Sequence, residues 1–368
     1  MKKNFSNKYI QSYLIILLLF SYFFLYFKHQ VGNDSTISEW LINYEGGFTR
    51  RGLAGQIVIF FSRLIDTELR WTIFLFQSFV CTIYFILLWI LIKGLETNRI
   101  IYLAIFTPIF ILYPIAEIEV LARKEVIVFS LFLIYLLFPS KTITKNIFLI
   151  LFSFFSILIW EPIIFFFPVI FLYLIIDYKI EKFDLKLIKI ISLISPGILL
   201  SFYILANPLP EDKWNVMASV LNNEFGELCY MSCELLRSKS SIAQQFQGNI
   251  SRYSFEVFLR YFLIIIIGFY PLSLLIKNSL VNNKNLIFIR NFKNLLQPFC
   301  IALLPVILLF AMGLDWGRWV NITYVILVLI IFNLIKNKKI KLNLISLKKN
   351  FLYKIKKQIF IIFFVIFC

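Results

Sequence analysis

Apolar runs approaching or exceeding 18 residues recur along this chain, separated by charged corners, and that alternation decides its fold class. A run of about 18 apolar residues suffices to cross a bilayer as a helix, and only helices and closed barrels satisfy their backbone there. Hydrophobic residues make up 60% of the chain, and 43 of its 368 residues are Phe, too apolar for a soluble domain. Spans are expected near 9–27, 71–92, 100–117, 126–138, 147–159, 163–176, 188–206, 257–276, 294–313 and 320–335, with a further one starting at 358–368. The expected fold is an all-α polytopic helical bundle of about ten or eleven spans, a single domain over 1–368. Its hydrophilic parts are a first external segment at 28–70, a large external loop at 207–256 and a basic segment at 336–357. Segments 126–138, 147–159 and 163–176 are short for full spans and predict broken or closely packed helices. The basic start followed by a long apolar run, with no small-x-small cleavage site, reads as an uncleaved first span.

The charges orient this layout. With the N-terminus cytoplasmic, the inner segments hold 24 of the 37 basic residues but 4 of the 20 acidic ones, leaving +20 inside and −3 outside. That asymmetry is the positive-inside rule, so the basic balance follows from membrane orientation and does not imply nucleic-acid binding.

Arginine is distributed differently from lysine. Nine of the 11 arginines fall outside: Arg50, Arg51, Arg63, Arg70, Arg123, Arg237, Arg252, Arg260 and Arg318. Random placement among the basic positions would put roughly four there. A guanidinium is a rigid fork of donors matched to phosphate and carboxylate, whereas an ammonium is a hydrated point charge. The excess therefore predicts an external site for a phosphate-bearing or acidic ligand, set against snorkelling to headgroups and ion pairing within the chain.

Four short motifs concentrate this chemistry. In "NYEGGFTRRGLAGQ", Gly46-Gly47 breaks the chain between Glu45 and the Arg50-Arg51 pair. The helix that follows carries Leu53, Ile57, Phe60, Phe61 and Leu64 at helical spacing and suits the membrane surface. Arg50 and Arg51 would stand at its N-terminus, where free N–H groups favour an anion. The preceding "STISEWLINY" predicts a helix capped by Ser35. "AEIEVLARKE" gathers Glu117, Glu119, Arg123, Lys124 and Glu125; "WEP" sets Glu161 before Pro162; "GLDWGRWV" places Asp315 and Arg318 one helical turn apart. Charges at a membrane edge are costly and usually face a cavity or a partner.

Cys229 and Cys233, in the expected external loop, can form a disulfide, remain free or hold a metal; with no His nearby, metal is the weakest reading, and no metal or other cofactor is expected. The single histidine, His29, ends the first expected span, which argues against His-based catalysis. Neither GxSxG, a Walker loop nor HExxH occurs.

With its span pattern, "EGGFTRRGL", "ARKE", "WEP" and "DWGRW", the chain resembles GT-C-type membrane glycosyltransferases and the multi-pass O-antigen and exopolysaccharide polymerases of bacteria. The resemblance implies an enzyme of the bacterial cytoplasmic membrane that takes a polyprenyl-phosphate-linked sugar from the outer leaflet and passes it to a glycan or lipid acceptor. It implies an acid soon after the first span, matched here by Asp34 or Glu45, and arginines that hold the phosphate. The expected catalytic residues are Asp34, Glu45 and Asp315; those expected to bind substrate are Arg50, Arg51, Arg123, Glu161 and Arg318. A non-enzymatic flippase for the same lipid-linked sugars, or a structural membrane subunit, are the alternatives.

Overall fold

The computed structural model describes residues 2–31, 35–96, 98–139, 142–237, 242–250, 252–283 and 285–354, together with 358, 364 and 367. The stretch 358–368, expected to open a further span, thus lies almost wholly outside the described residues. The protein is a helical bundle. Seven helical segments among the described residues are long and apolar enough to cross a membrane: Asn7–Lys28, Leu69–Lys93, Arg99–Ala116, Glu161–Tyr178, Leu185–Ala206, Phe255–Lys277 and Trp316–Lys336. Glu125–Leu137 and Ile143–Ile159 are shorter apolar helices, as the sequence predicts for those positions.

Trp316–Lys336 is the axis of the bundle. Every residue from Gly317 to Leu334 is buried, with Leu69–Lys93, Arg99–Ala116, Glu125–Leu137, Phe167–Tyr178 and Phe255–Lys277 packed against it. Gly317 lets one neighbour in, because a Cβ there would come within 2.2 Å of the Tyr113 hydroxyl. The peripheral helices instead turn Leu19, Phe23, Phe202, Phe258 and Ile266 outward. Apolar side chains on the outside of a bundle suit a hydrocarbon solvent.

The segment 99–116 is broken in the middle, and the axis repairs it. Pro108 has no N–H to give the carbonyl four residues back, and Phe110 leaves helical geometry at φ −93°, ψ −110°. Tyr324 donates its hydroxyl to the Ala104 carbonyl at 2.9 Å, replacing the missing donor. Asn321 Nδ2 donates to the carbonyls of Ile109 and Phe110 at 2.9 and 2.6 Å. A buried carbonyl left without a donor would cost about 1–3 kcal/mol, so these polar side chains are what permit the break.

The sequence reading differs from the structure in three places. The span expected at 294–313 is two short helices, Leu296–Ala302 and Ile307–Met312, joined by a tighter turn at Leu304–Val306, where Pro305 interrupts the hydrogen-bond ladder. Instead of a full helix over 35–44, one turn forms, Ser35–Ser38, and the Ser35 hydroxyl caps nothing. The expected all-α fold also includes a two-stranded antiparallel ladder, Ser279–Val281 with Ile340–Leu342. That ladder lies near one pole, where Lys145 and Lys339 bond to the buried Asp177 at 2.9 and 3.1 Å.

Candidate functional site

At the other pole, five separate stretches bring their charged residues together. Helix Gly52–Ile65 begins after Arg51, which adopts left-handed backbone geometry at φ 61°. That conformation is uncommon for a non-glycine residue and costs of order 1 kcal/mol or more, so surrounding contacts must hold it. Lys124 supplies one, its Nζ donating to the Arg51 carbonyl at 2.5 Å. Ala122, on the facing corner, is also left-handed at φ 51°. Its carbonyl accepts from the Trp40 indole at 3.0 Å, and Gln77 donates to the Thr36 carbonyl at 3.0 Å. These bonds fasten the first hydrophilic segment to the 118–125 corner and to the helix Leu69–Lys93.

The ion pairs form one connected path. Arg50 Nη1 lies 3.8 Å from Glu161 Oε1. Arg51 grips Glu161 with two hydrogen bonds, 2.7 and 2.9 Å, and its Nη1 is 3.5 Å from Glu39. Glu39 accepts from Arg318 Nη2 at 2.9 Å and has Arg123 Nη1 at 3.9 Å. Arg318 also forks onto Glu125 at 2.7 and 2.9 Å, and the Asp315 carboxylate is 3.4 Å from both Arg318 and Arg123. Arg123 is further held by the Glu119 carbonyl, 2.7 Å from its Nε. Forked guanidinium–carboxylate pairs give both directionality and strength.

The two ends of this path are its most exposed members. Glu39 is 1% exposed, whereas the side chains of Arg50 and Asp315 are 39% and 52% exposed. Among the described residues Arg50 is also the least committed guanidinium of the path, its further contact being the Leu235 carbonyl at 3.4 Å. Glu39 Oε2 is buried with no hydrogen-bond partner, as are the indole N–H groups of Trp160 and Trp319, whose rings lie 6.3 Å apart.

Burial alone would raise the Glu39 carboxyl, but the guanidiniums of Arg318, Arg123 and Arg51 overcome it and hold it down to about 2. Lys124 behaves oppositely: burial pulls it down to about 7, with Glu39 only partly opposing. Glu39 is therefore a fixed carboxylate, and Lys124 is poised to lose its charge near neutrality.

Of the residues expected from the sequence, Arg50, Arg51, Arg123, Glu161, Asp315 and Arg318 all lie in this network. Glu45 does not. Its Oε1 accepts from Gln56 Nε2 and Arg63 Nη1, each at 2.9 Å, and Arg63 also forks onto Glu224. Gln56 and Arg63 are seven residues apart on one helix and so share a face, which draws Glu45 along it and away from the arginine pair. Asp34 lies outside the described residues. Two central carboxylates, Glu39 and Glu125, are not among the site residues expected from the sequence, although Glu125 belongs to the "AEIEVLARKE" corner. The available signal was position: Glu39 sits inside the apolar "EWLI" and Glu125 opens an apolar helix.

Beside the network, Cys229 and Cys233 are joined in a disulfide with Cα atoms 5.2 Å apart. Among the described residues, no group of three or more His, Cys, Asp or Glu is placed to hold a metal ion. Searches with protein-family models, curated proteins and solved structures find no match to this chain.

Proposed function

We propose that this is a multi-pass membrane protein, N-terminus cytoplasmic, that transfers a sugar from a polyprenyl phosphate to a glycan or lipid acceptor at the outer face of a bacterial cytoplasmic membrane. The observation that carries the reading is the arrangement of the ionic path: a loosely held guanidinium, Arg50, at one surface end and an accessible carboxylate, Asp315, at the other. Phosphate recognition calls for the first, and removal of a proton from an acceptor hydroxyl calls for the second. In this scheme the acceptor oxygen bonds to the anomeric carbon as the anomeric carbon–phosphate oxygen bond breaks. Asp315 takes the hydroxyl proton, and the lipid phosphate departs against Arg50 and Arg51. Arg123 and Arg318 flank Asp315 at 3.4 Å without binding it closely, and Glu39 and Glu161 keep the guanidiniums aligned.

The membrane setting is supported by the seven apolar segments and by the helix Gly52–Ile65. That helix buries Ala54, Val58 and Ile59 and leaves Ile57, Phe60 and Leu64 exposed. Such an exposed apolar face suits the interfacial layer, where a phosphate headgroup would meet Arg50 at the helix start.

A flippase reading draws on the break at Phe110, because discontinuous helices form ion and substrate sites in many transporters. Here the carbonyls freed by the break already accept from Asn321 and Tyr324, which leaves little for a passing substrate. Transfer is the better-supported function.

The test is donor binding by protein in lipid nanodiscs carrying polyprenyl-phosphate sugar. Arg50→Lys retains charge but loses the fork, and binding is expected to weaken about tenfold, equivalent to ~1.4 kcal/mol, with thermal stability unchanged. Arg51→Lys should weaken binding and also lower stability, because Arg51 is locked to Glu161. Undiminished binding in both variants would leave the network as a structural clamp.

A further inference from the structure

An open cleft of about 720 Å³ lies beside the ionic network, between the 118–120 turn and the disulfide loop. Its volume is that of a small-molecule site. Glu119 and Glu234 lend it carboxylates, Tyr230 an aromatic ring, and Leu228 and Met231 apolar walls. Ser35 also lines it; this residue is 1% exposed, and its hydroxyl has no hydrogen-bond partner although buried. A buried hydroxyl without a partner is destabilising, so a ligand group that bonds to it would relieve that cost.

We propose that this cleft binds a neutral, hydroxyl-rich glycan, the acceptor in the transfer reading on which the proposal rests. A carboxylate accepts two adjacent hydroxyls at once, an aromatic ring covers the apolar face of a sugar, and the Ser35 hydroxyl adds a fixed donor or acceptor. Among the described residues no basic side chain lines the cleft, which makes it a poor place for a phosphate-bearing donor. Nor is it strongly anionic, since Glu234 lies 3.8 Å from Arg237. The two substrates are thereby separated by charge: lipid phosphate on the arginines, neutral glycan in the cleft. The Glu119 backbone, which anchors Arg123, places the cleft next to the transfer site.

The disulfide gives the cleft a fixed wall. Cys229 lines it, while Cys233 is buried and its carbonyl accepts from the Trp214 indole at 3.2 Å, so Leu228–Met231 is tied to the helix Glu211–Phe225. A preformed wall reduces the ordering cost of binding.

The experiment uses the full chain, purified in detergent and immobilised, with neutral oligosaccharides cut from the surface polysaccharide of the cells that make it. Wild type should retain a fraction of the pool, and Glu119→Ala with Glu234→Ala should reduce retention at least tenfold. Both side chains are at the surface, so folding is not at issue. Ser35→Ala should give a smaller loss. The proposal is overturned if wild type retains nothing, if the variants retain as much as wild type, or if spermine binds in place of the glycans and is lost in the same variants. Donor binding is measured on the same preparations. Loss of glycan retention in cleft variants with no donor binding by wild type would remove the transfer reading and keep the cleft. Donor binding sensitive to Arg50, with glycan retention insensitive to Glu119 and Glu234, would remove only the cleft.

Discussion

Arg318 Nη2 and Glu39 Oε1 meet at 2.9 Å although 279 residues separate them in the chain, and neither side chain is more than 4% exposed. Removing one member of such a pair leaves a buried charge short of its partner, which costs about 3–5 kcal/mol. Glu39→Gln keeps the shape and removes the charge, and Glu125 still holds Arg318, so a loss near 3 kcal/mol is expected. Thermal unfolding in detergent, completed as a double-mutant cycle with Arg318→Met, reads the coupling directly. A coupling below about 0.5 kcal/mol would mean that the contact does not tie the first segment to the axis helix.

Glu39 and its neighbour Lys124 both make stability rise with pH, in two separate windows. Glu39 ionises at about 2 in the folded protein against 4.5 ordinarily, so its contribution is complete above pH 4.5 and disappears as pH falls from there toward 2. Lys124 is held at about 7 against 10.5, so its burial costs stability below pH 7 and that cost lifts as pH rises from 7 to 10.5. Glu39, Arg51 and Glu161 are the charges that act on Lys124. Melting curves should therefore show Glu39→Gln flattening the acid limb and Lys124→Met removing a rise between pH 7 and 10. Parallel profiles for wild type and Lys124→Met would contradict the assignment.

Sidedness can be read by thiol labelling. Phe48 and Asn223 are exposed near the ionic pole, and Lys341 is exposed near the Lys145–Asp177 pole. On right-side-out vesicles, an impermeant maleimide should modify Phe48→Cys and Asn223→Cys and leave Lys341→Cys unreacted until the membrane is permeabilised. The reverse pattern would invert the proposed orientation, and equal labelling at all three would deny two-sided embedding.

Hydrophobic runs made the long helices legible: 71–92 became Leu69–Lys93, 257–276 became Phe255–Lys277 and 320–335 became Trp316–Lys336. Length and apolarity are local properties, and sequence reports them well. Pairing among the charges is not local. The sequence could say that Glu45 and Arg50 are five residues apart, but the helix face holding Gln56 and Arg63 draws Glu45 to itself. Glu39 likewise lies where the sequence predicts the start of a helix, and nothing in its neighbourhood shows that Arg318 will arrive beside it. The same blindness applies at 294–313, where hydropathy is satisfied and Pro305 interrupts the helix.

In the proposed transfer, which carboxylate would serve as base is decided by accessibility and by prior engagement. Glu45 is 20% exposed, with one oxygen taken by both Gln56 and Arg63, and its hydrogen bond from Arg63 leads in holding the carboxyl below the usual carboxylate range. Glu39 is buried and ionised so firmly that it would take a proton poorly. Asp315 is half-exposed, and its contacts with Arg123 and Arg318, both 3.4 Å, are long for hydrogen bonds, so it can turn toward an acceptor hydroxyl without losing a close partner. Asp315→Asn is therefore expected to reach the membrane in normal amount, to bind donor as wild type does, and to lose about 100-fold or more in transfer. Glu45→Gln should retain most of its activity, with any loss appearing as lower stability through Arg63. Transfer rates measured in nanodiscs separate the two: an Asp315→Asn variant as active as wild type removes Asp315 from the chemistry, and a 100-fold loss confined to Glu45→Gln returns the role to the first hydrophilic segment.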